Sequence, residues 1–429
     1  MKVAQNFSVV NLTQQDIPVI IEDTKTRHPW IPVGIIMPDD FFQNITDSYN
    51  NSTTNAACVG GIADMIFGKG IYAENESLKD DFRKMLSQEE IKRVIFDLKL
   101  YGNACFQVYW DDSHTKIIKM YHTPVQAIRA QKLYTSPKVE GYYYCTNWND
   151  MKAQRNKIYI PAFGTSNEKM ELLYIKDYSP GHFYYSQPDW FAGLQFAFVE
   201  AELSNLHLNN IENGFLPLVM VNMNNGIPAP EERDTIEDMI ESKFTGTRNA
   251  GRFILTFNDD KERQPTIETI QTDNLHEKFK YVADYAQDRI LVSHRVTSPL
   301  LMGIRTAVNG FSSNSEEMQT AYSILHTMTI EPFQNLILNQ LDKALTDGGW
   351  EDLGLYFEQS TPSALLASQA EKTGQTVEEV KKDIAEVGEN PAVTDTEGEG
   401  VGGEAQDQTT PISMSSPNFT REYEVYKTN

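Results

Sequence analysis

Cysteine is scarce: Cys58, Cys105 and Cys145 are the only three in 429 residues. An odd number without a Cys-x-x-Cys pair excludes a disulfide framework and a paired thiolate zinc site, and fits a reducing compartment. Long apolar runs are also lacking. No uncharged stretch reaches bilayer-spanning length, and the opening Met-Lys-Val-Ala-Gln-Asn-Phe has no apolar signal core. A soluble chain made in cytoplasm, with no membrane partner, is the expectation. Basic residues number 37 against 60 acidic ones, for a formal net charge of −23. That balance excludes a tight grip on nucleic acid, which rests on Lys and Arg neutralising phosphates. It leaves room for DNA as sliding cargo, because an acidic wall repels phosphate.

Catalytic signatures are missing as well. Gly68-Lys69-Gly70 lacks the rest of a phosphate-binding loop, Gly-x-x-x-x-Gly-Lys-Ser/Thr, so the backbone cradle and the magnesium hydroxyl are absent. His114 and His122 follow no helical ligand spacing, no His-Glu-x-x-His occurs, and there is no Gly-x-Ser-x-Gly elbow. Asp111-Asp112 and Asp259-Asp260 sit among turn formers at strand ends, where solvated β-turns are the plain reading. The chain therefore reads as non-enzymatic, with no cofactor and no metal. The alternative is a metal-dependent nuclease or processing enzyme built on Asp259, Asp260 and Glu262. A protein-binding adaptor or scaffold is a third reading.

What is present falls into three zones. Residues 1 to about 187 alternate helical patterns with β-rich runs at Ala104–Trp110, Lys116–Tyr121 and Gly141–Trp148, an α+β composition. Residues from about 188 to 345 carry long helical patterns. From Glu371 to Thr410 there are eleven acidic and three basic residues and no aromatic. Such a segment buries too little apolar surface to offset chain entropy, so the region 372–429 is expected to be an acidic, largely disordered tail.

In the middle zone Pro188 and Asp189 announce a helix, with Asp189 as the N-cap candidate and Trp190, Leu194, Ala197 and Ala201 as its buried stripe. Run to Asn213, it would be roughly 37 Å long at 1.5 Å per residue. A second rod is expected from Asn274, with Glu277 completing a capping box and Leu275, Phe279, Val282, Ala286 and Ile290 lining one side. Between the rods lie a strand at Pro217–Asn222, a helix opened by Pro230 and ended by Gly246, and a strand at Arg252–Phe257. Val296 to Ser313 reads as an exposed, mobile loop. Ser313 and Glu316 form another capping box, and Pro332 predicts a kink in the helix that follows.

The order of these segments resembles the phage portal family. Ile62-Ala63-Asp64-Met65-Ile66-Phe67-Gly68-Lys69-Gly70-Ile71 resembles the early portal helix and glycine turn. Tyr101-Gly102-Asn103-Ala104-Cys105 resembles the "YGNAY" strand, with Cys105 in place of an aromatic, and Met120 to Arg129 is similar to the strand after it. Tyr185-Ser186-Gln187-Pro188 resembles the "YG-x-P" start of the first stem helix, and Asn213-Gly214-Phe215-Leu216-Pro217 its "NGA-x-P" exit. Gly246 to Arg252 is similar to "G-x-x-NAGK", and Val296 to Gly303 to "VPPxLLG", with Thr297 and Ser298 displacing the first proline. Seven fragments in family order cover roughly residues 56 to 345.

The resemblance implies an α+β portal subunit. Its parts would be a wing at 1–187, a first stem helix at 188–214, a clip at 215–272 and a second stem helix at 273–296. A tunnel-loop region at 297–315, a kinked helix and crown at 316–371 and the tail would follow. Gly303, Ile304, Arg305, Asn309, Gly310, Ser312 and Ser313 would form the tunnel loop lining the DNA channel, Arg305 touching either phosphate or an acid of the adjacent subunit. Glu231, Glu232, Arg233, Arg248, Asn249, Asp259 and Asp260 would face the motor and adaptors. The implied partners are a homo-oligomeric ring of twelve subunits, double-stranded DNA, the terminase large subunit, head-tail adaptor proteins, and the major capsid protein and scaffold. The implied location is the capsid vertex of a virion.

Overall fold

The computed structural model describes residues 19–34, 39–134, 138–212, 218–223, 253–257, 266–270, 275–304, 315–359 and 376. Contacts divide the chain into a unit Met1–Ser368 and a unit Gln369–Asn429. The elements below all belong to the first. Almost all of the second, with the expected acidic tail, lies outside the described residues.

The body starts with helices α1 (Phe41–Asn51) and α2 (Thr53–Phe67), divided at Ser52. Ser52 takes an extended conformation and its hydroxyl accepts from the Asn55 amide, satisfying one orphan donor of the new helix. α2 buries Cys58, Val59, Ile62, Ala63 and Ile66. β1 (Ile71–Ala73), α3 (Lys79–Met85) and α4 (Gln88–Tyr101) follow. α4 is capped by Ser87, carries Glu89 and Glu90 in its first turn and Lys99 in its last, and buries Ile91, Val94, Ile95 and Leu98. This charge order suits the helix dipole.

Three sheets complete the body. The central one has β2 (Asn103–Trp110) between β3 (Ile117–His122) and β7 (Met170–Lys176), all antiparallel. β4 (Ile128–Ala130), β5 (Gly141–Tyr144) and β6 (Ile158–Pro161) make the second, with α5 (Met151–Arg155) in the β5–β6 connection. β1 pairs with a late strand whose Phe357 lies opposite Ile71. Of the β-rich runs read from the sequence, Ala104–Trp110 and Lys116–Tyr121 form β2 and β3, while Gly141–Trp148 is strand only as far as Tyr144. The three cysteines are buried and free, and burial pushes the Cys58 thiol up to about 12. No helix among the described residues is long and apolar enough to cross a membrane.

From the body spring two long helices. A 3-10 turn, Phe191–Gly193, leads into α6 (Leu194–Glu212), and α7 (Leu275–Ser293) returns alongside it. Helix thus begins later than the sequence suggested. The Asp189 carboxylate is held by Lys99 instead of capping. Trp190, Leu194, Ala197 and Ala201 are buried as the spacing predicted. On α7, Ala286 and Ile290 of the expected stripe are buried, Phe279 is half-buried and Val282 is exposed. Between the rods β8 (Leu218–Met223) pairs parallel with β9 (Phe253–Phe257) and antiparallel with β10 (Thr266–Ile270). The helix expected after Pro230 lies outside the described residues.

The stretch after α7 differs from the mobile loop expected. Pro299–Met302 forms a 3-10 turn with proline in its first positions, closed by Gly303 in the left-handed region at φ 73°. Val296 and Ser298 are buried, and Leu301, Met302 and Ile304 pack on the core. The apolar Leu-Leu-Met run draws this half of the segment inward. Then come α8 (Ser315–Leu325), a π-helical segment His326–Ile330, α9 (Glu331–Asp347) and β11 (Leu355–Phe357), the partner of β1. The break expected at Pro332 takes the form of that π segment, as a helix does when a residue more than the α repeat must be fitted. Ser313 lies outside the described residues.

Candidate functional site

The two rods share a root, built from segments far apart in sequence. Gly102 ends α4 with φ 70°, and a Cβ there would sit 2.6 Å from the Gln187 carbonyl oxygen and 2.8 Å from the Pro188 nitrogen. Only glycine allows both the left-handed turn and that backbone approach. Asn103 then spends its whole amide on the junction. Its Nδ2 donates to the carbonyls of Tyr101 (2.8 Å) and Ser186 (2.7 Å), and its Oδ1 accepts from the Ser186 amide (2.9 Å) and the Tyr174 hydroxyl (3.1 Å). Tyr185 reaches across to the end of β4 and the segment bonded to it, accepting from the Ala130 amide at 3.0 Å and donating to the Ile31 carbonyl. Two fragments that carried the family resemblance, Tyr101–Cys105 and Tyr185–Pro188, are therefore bound to each other.

One turn further lies a buried charge. Lys99, fully buried, donates to both oxygens of Asp189 at 2.8 and 2.9 Å, and its ammonium lies 5.4 Å from the centre of the Phe333 ring. Trp190 hydrogen-bonds the Lys99 carbonyl at 3.1 Å and stacks on His294 at 5.4 Å. His294 is buried at the end of α7 with its Nε2 2.9 Å from Asn55 Oδ1. Burial, and next the charge of Lys99, hold the imidazole well below its ordinary pKa, so it is neutral. Where Gly193 meets α7, a Cβ would fall 2.1 Å from Ser293 Oγ, which sets the close approach of the rods. Glu200 on α6 caps α2 from outside: its carboxylate accepts from the hydroxyls of Ser52, Thr53 and Thr54 and from the Thr54 amide. An anion at a helix N-terminus is favourable.

Along their length the rods keep apolar side chains in solvent, from the root outward. Tyr281 and Val292 on α7 and Ile211 on α6 are 69%, 63% and 62% exposed. Tyr281 stacks on Tyr285, which also meets Phe196 edge-on and carries Arg289 over its face at 4.8 Å. Surface of this kind marks an interaction face.

Of the residues singled out in the sequence, Gly303 is exposed and Ile304 packs on the core next to the rod's end. Arg305, Asn309, Gly310, Ser312 and Ser313 lie outside the described residues, as do Glu231, Glu232, Arg233, Arg248, Asn249, Asp259 and Asp260. Asp111 is a turn residue: the amides of Thr115 and Lys116 and the hydroxyls of Ser113 and Thr115 hydrogen-bond its carboxylate, which holds its pKa low. Asp112 pairs with Lys169 on the surface, and Lys69 with Glu358. His114 stacks on Trp110, and His122 Nε2 lies 2.8 Å from Asp97 in the body. Among the described residues no three metal-binding side chains converge.

Lys99, Asn103 and His294 escaped the sequence reading. A lysine in the last turn of a helix reads as a solvated, dipole-matched charge, and its partner is ninety residues away in the sequence. Asn103 stood inside a recognised motif whose physical purpose needed the opposing strand.

No family model and no curated protein matches this sequence. Among solved structures, a chain from the neck of an empty gene transfer agent (GTA) particle, computed with C6 symmetry, has TM-score 0.52 and 16% identity, covering 84% of this chain and 92% of its own. A chain from the neck of the native GTA particle, computed with C12 symmetry, has the same TM-score and identity over 83% and 91%. An HK97 family phage portal protein from Corynebacterium diphtheriae has TM-score 0.44 and 13% identity over 75% and 96%. The chain thus shares its fold with these chains from GTA particle necks.

Proposed function

We propose that this chain is a portal protein, the subunit of a ring at one capsid vertex through which double-stranded DNA is packaged and ejected. The observation that carries the reading is the pair α6 and α7. They stand side by side on a common root, hold a small sheet between them in sequence, and leave Ile211, Tyr281 and Val292 uncovered. Such stripes are what a second copy covers when staves close around an axis. The likeness in fold to a neck component supports the same reading.

On this reading 1–187 is the wing, α6 and α7 are the stem, and 215–272 is the clip that meets the terminase motor and later the adaptors. Region 297–315 carries the tunnel loop, with Arg305 its charged member, and 316–371 the crown. Twelve copies per ring is the count we adopt, matching the C12 symmetry in which the native neck was computed. The role is mechanical, with neither cofactor nor catalysis. The net charge of −23 suits a wall along which a duplex slides without sticking. Electron microscopy of the purified protein tests this: closed rings with a duplex-wide hole support it, and globular monomers oppose it.

A further inference from the structure

The end of α7 is a left-handed cap. The Arg295 amide bonds the Val292 carbonyl at 3.0 Å and the Val296 amide bonds the Leu291 carbonyl at 2.9 Å, the double bond of a Schellman motif. The residue that takes the left-handed conformation is Arg295, at φ 61°. Glycine is the usual occupant of that position, because a Cβ there crowds the neighbouring carbonyl. An arginine strains the cap, and its side chain has a contact that glycine could not make.

Arg295 Nη1 donates to the carbonyl of Met328 at 3.2 Å. Met328 belongs to the π segment His326–Ile330, where the Glu331 amide reaches back five residues to the His326 carbonyl. Four residues after Met328 stands Pro332, which has no N–H to give that carbonyl. The arginine thus occupies an acceptor that the proline leaves open. Nearby, the Thr329 hydroxyl is buried without a hydrogen-bond partner, a further sign that the local geometry is imposed by its surroundings and not by the helix itself.

We propose that Arg295 is a positioning residue: it straps the end of the second rod to the π segment and so fixes the register of the helix running from 315 to 347. The register matters, because a π turn holds one residue more than the α repeat. Losing that residue would rotate α8 relative to α9 by about 100°. The buried Ala321 and Leu325 would leave the core. The choice of which face of α8 meets the body is therefore made from outside the helix, by a side chain on the rod. This inference does not depend on the portal reading.

Hydrogen–deuterium exchange on the full chain tests it. Arg295→Gly relieves the cap and removes the strap, and it is expected to speed exchange in peptides covering 322–334 at least fivefold, with peptides of α4 and β2 within twofold of wild type. Arg295→Asn, which tolerates the left-handed cap and lacks the reach, should behave likewise. Pro332→Ala restores the missing N–H, so in that background Arg295→Gly should change exchange at 322–334 less than twofold. Rates unchanged in the native background, or accelerated equally in both backgrounds, would overturn the assignment.

Discussion

Lys99 Nζ lies 2.8 Å from Asp189 Oδ1, joining the last turn of α4 to the segment that launches the first rod. The lysine is fully buried and the aspartate nearly so, so each charge depends on the other for its solvation. Removing one partner strands the other.

The two single variants should therefore differ. Asp189→Asn leaves an unpaired ammonium in the core and is expected to cost about 3–5 kcal/mol. Lys99→Met leaves a carboxylate that can still reach water at the edge of the site, and should cost less. The double variant is expected to recover most of the loss. Urea denaturation of the four proteins measures this, and additive losses would show that the pair is not coupled.

Gly102→Ala puts a Cβ against the Gln187 carbonyl at a position of positive φ. Strain of this kind costs on the order of 1–3 kcal/mol before the clash is counted. A fall in the thermal midpoint, with the Asn103 contacts to Ser186 loosened, is the expected outcome. An unchanged midpoint would mean the 102–187 approach is not part of the folded state.

His294 has its pKa lowered by burial and by Lys99. Above the unfolded-state pKa, near 6.5, both states hold a neutral ring and nothing is lost. As pH falls below that value the unfolded chain gains a proton that the folded chain refuses, so stability declines until the folded-state pKa is reached. The slope is at most about 1.4 kcal/mol per pH unit for one group. His294→Gln should flatten stability between pH 6.5 and 5 relative to wild type, and parallel curves would remove this histidine from the account.

Some of this was legible in advance. The β-rich run Ala104–Trp110, the stripe Trp190, Leu194, Ala197 and Ala201 and the first two strands between the rods are local patterns, and local patterns survive in a single sequence. β10 shows the limit. Thr266-Ile267-Glu268-Thr269-Ile270 is rich in β-branched residues but does not alternate, it is short, and its partner β8 lies more than forty residues earlier. Pro332 announced a break, but the π form of that break and its link to Arg295 are tertiary facts. The stripe along α7 was legible as a face, but which of its members the body covers, Ala286 and Ile290 and not Val282, was not, because periodicity identifies a face without saying what covers it.

Gly310 lies in the proposed tunnel loop. Gly310→Val is expected to leave ring assembly intact while reducing the yield of DNA-filled heads, since a branched residue restricts the backbone. Heads filled as in wild type would refute the loop assignment.

The mass of the purified particle in solution tests the central claim, alone and with the rod faces altered. Wild type is expected at the mass of a closed ring of twelve copies. A protein carrying Tyr281→Asp and Val292→Asp, whose exposed positions should alter subunit stability by only about 0.5 kcal/mol each, is expected at the mass of a folded monomer. Wild-type protein that stays monomeric at high concentration, or a doubly substituted protein that still closes into rings, would contradict the account.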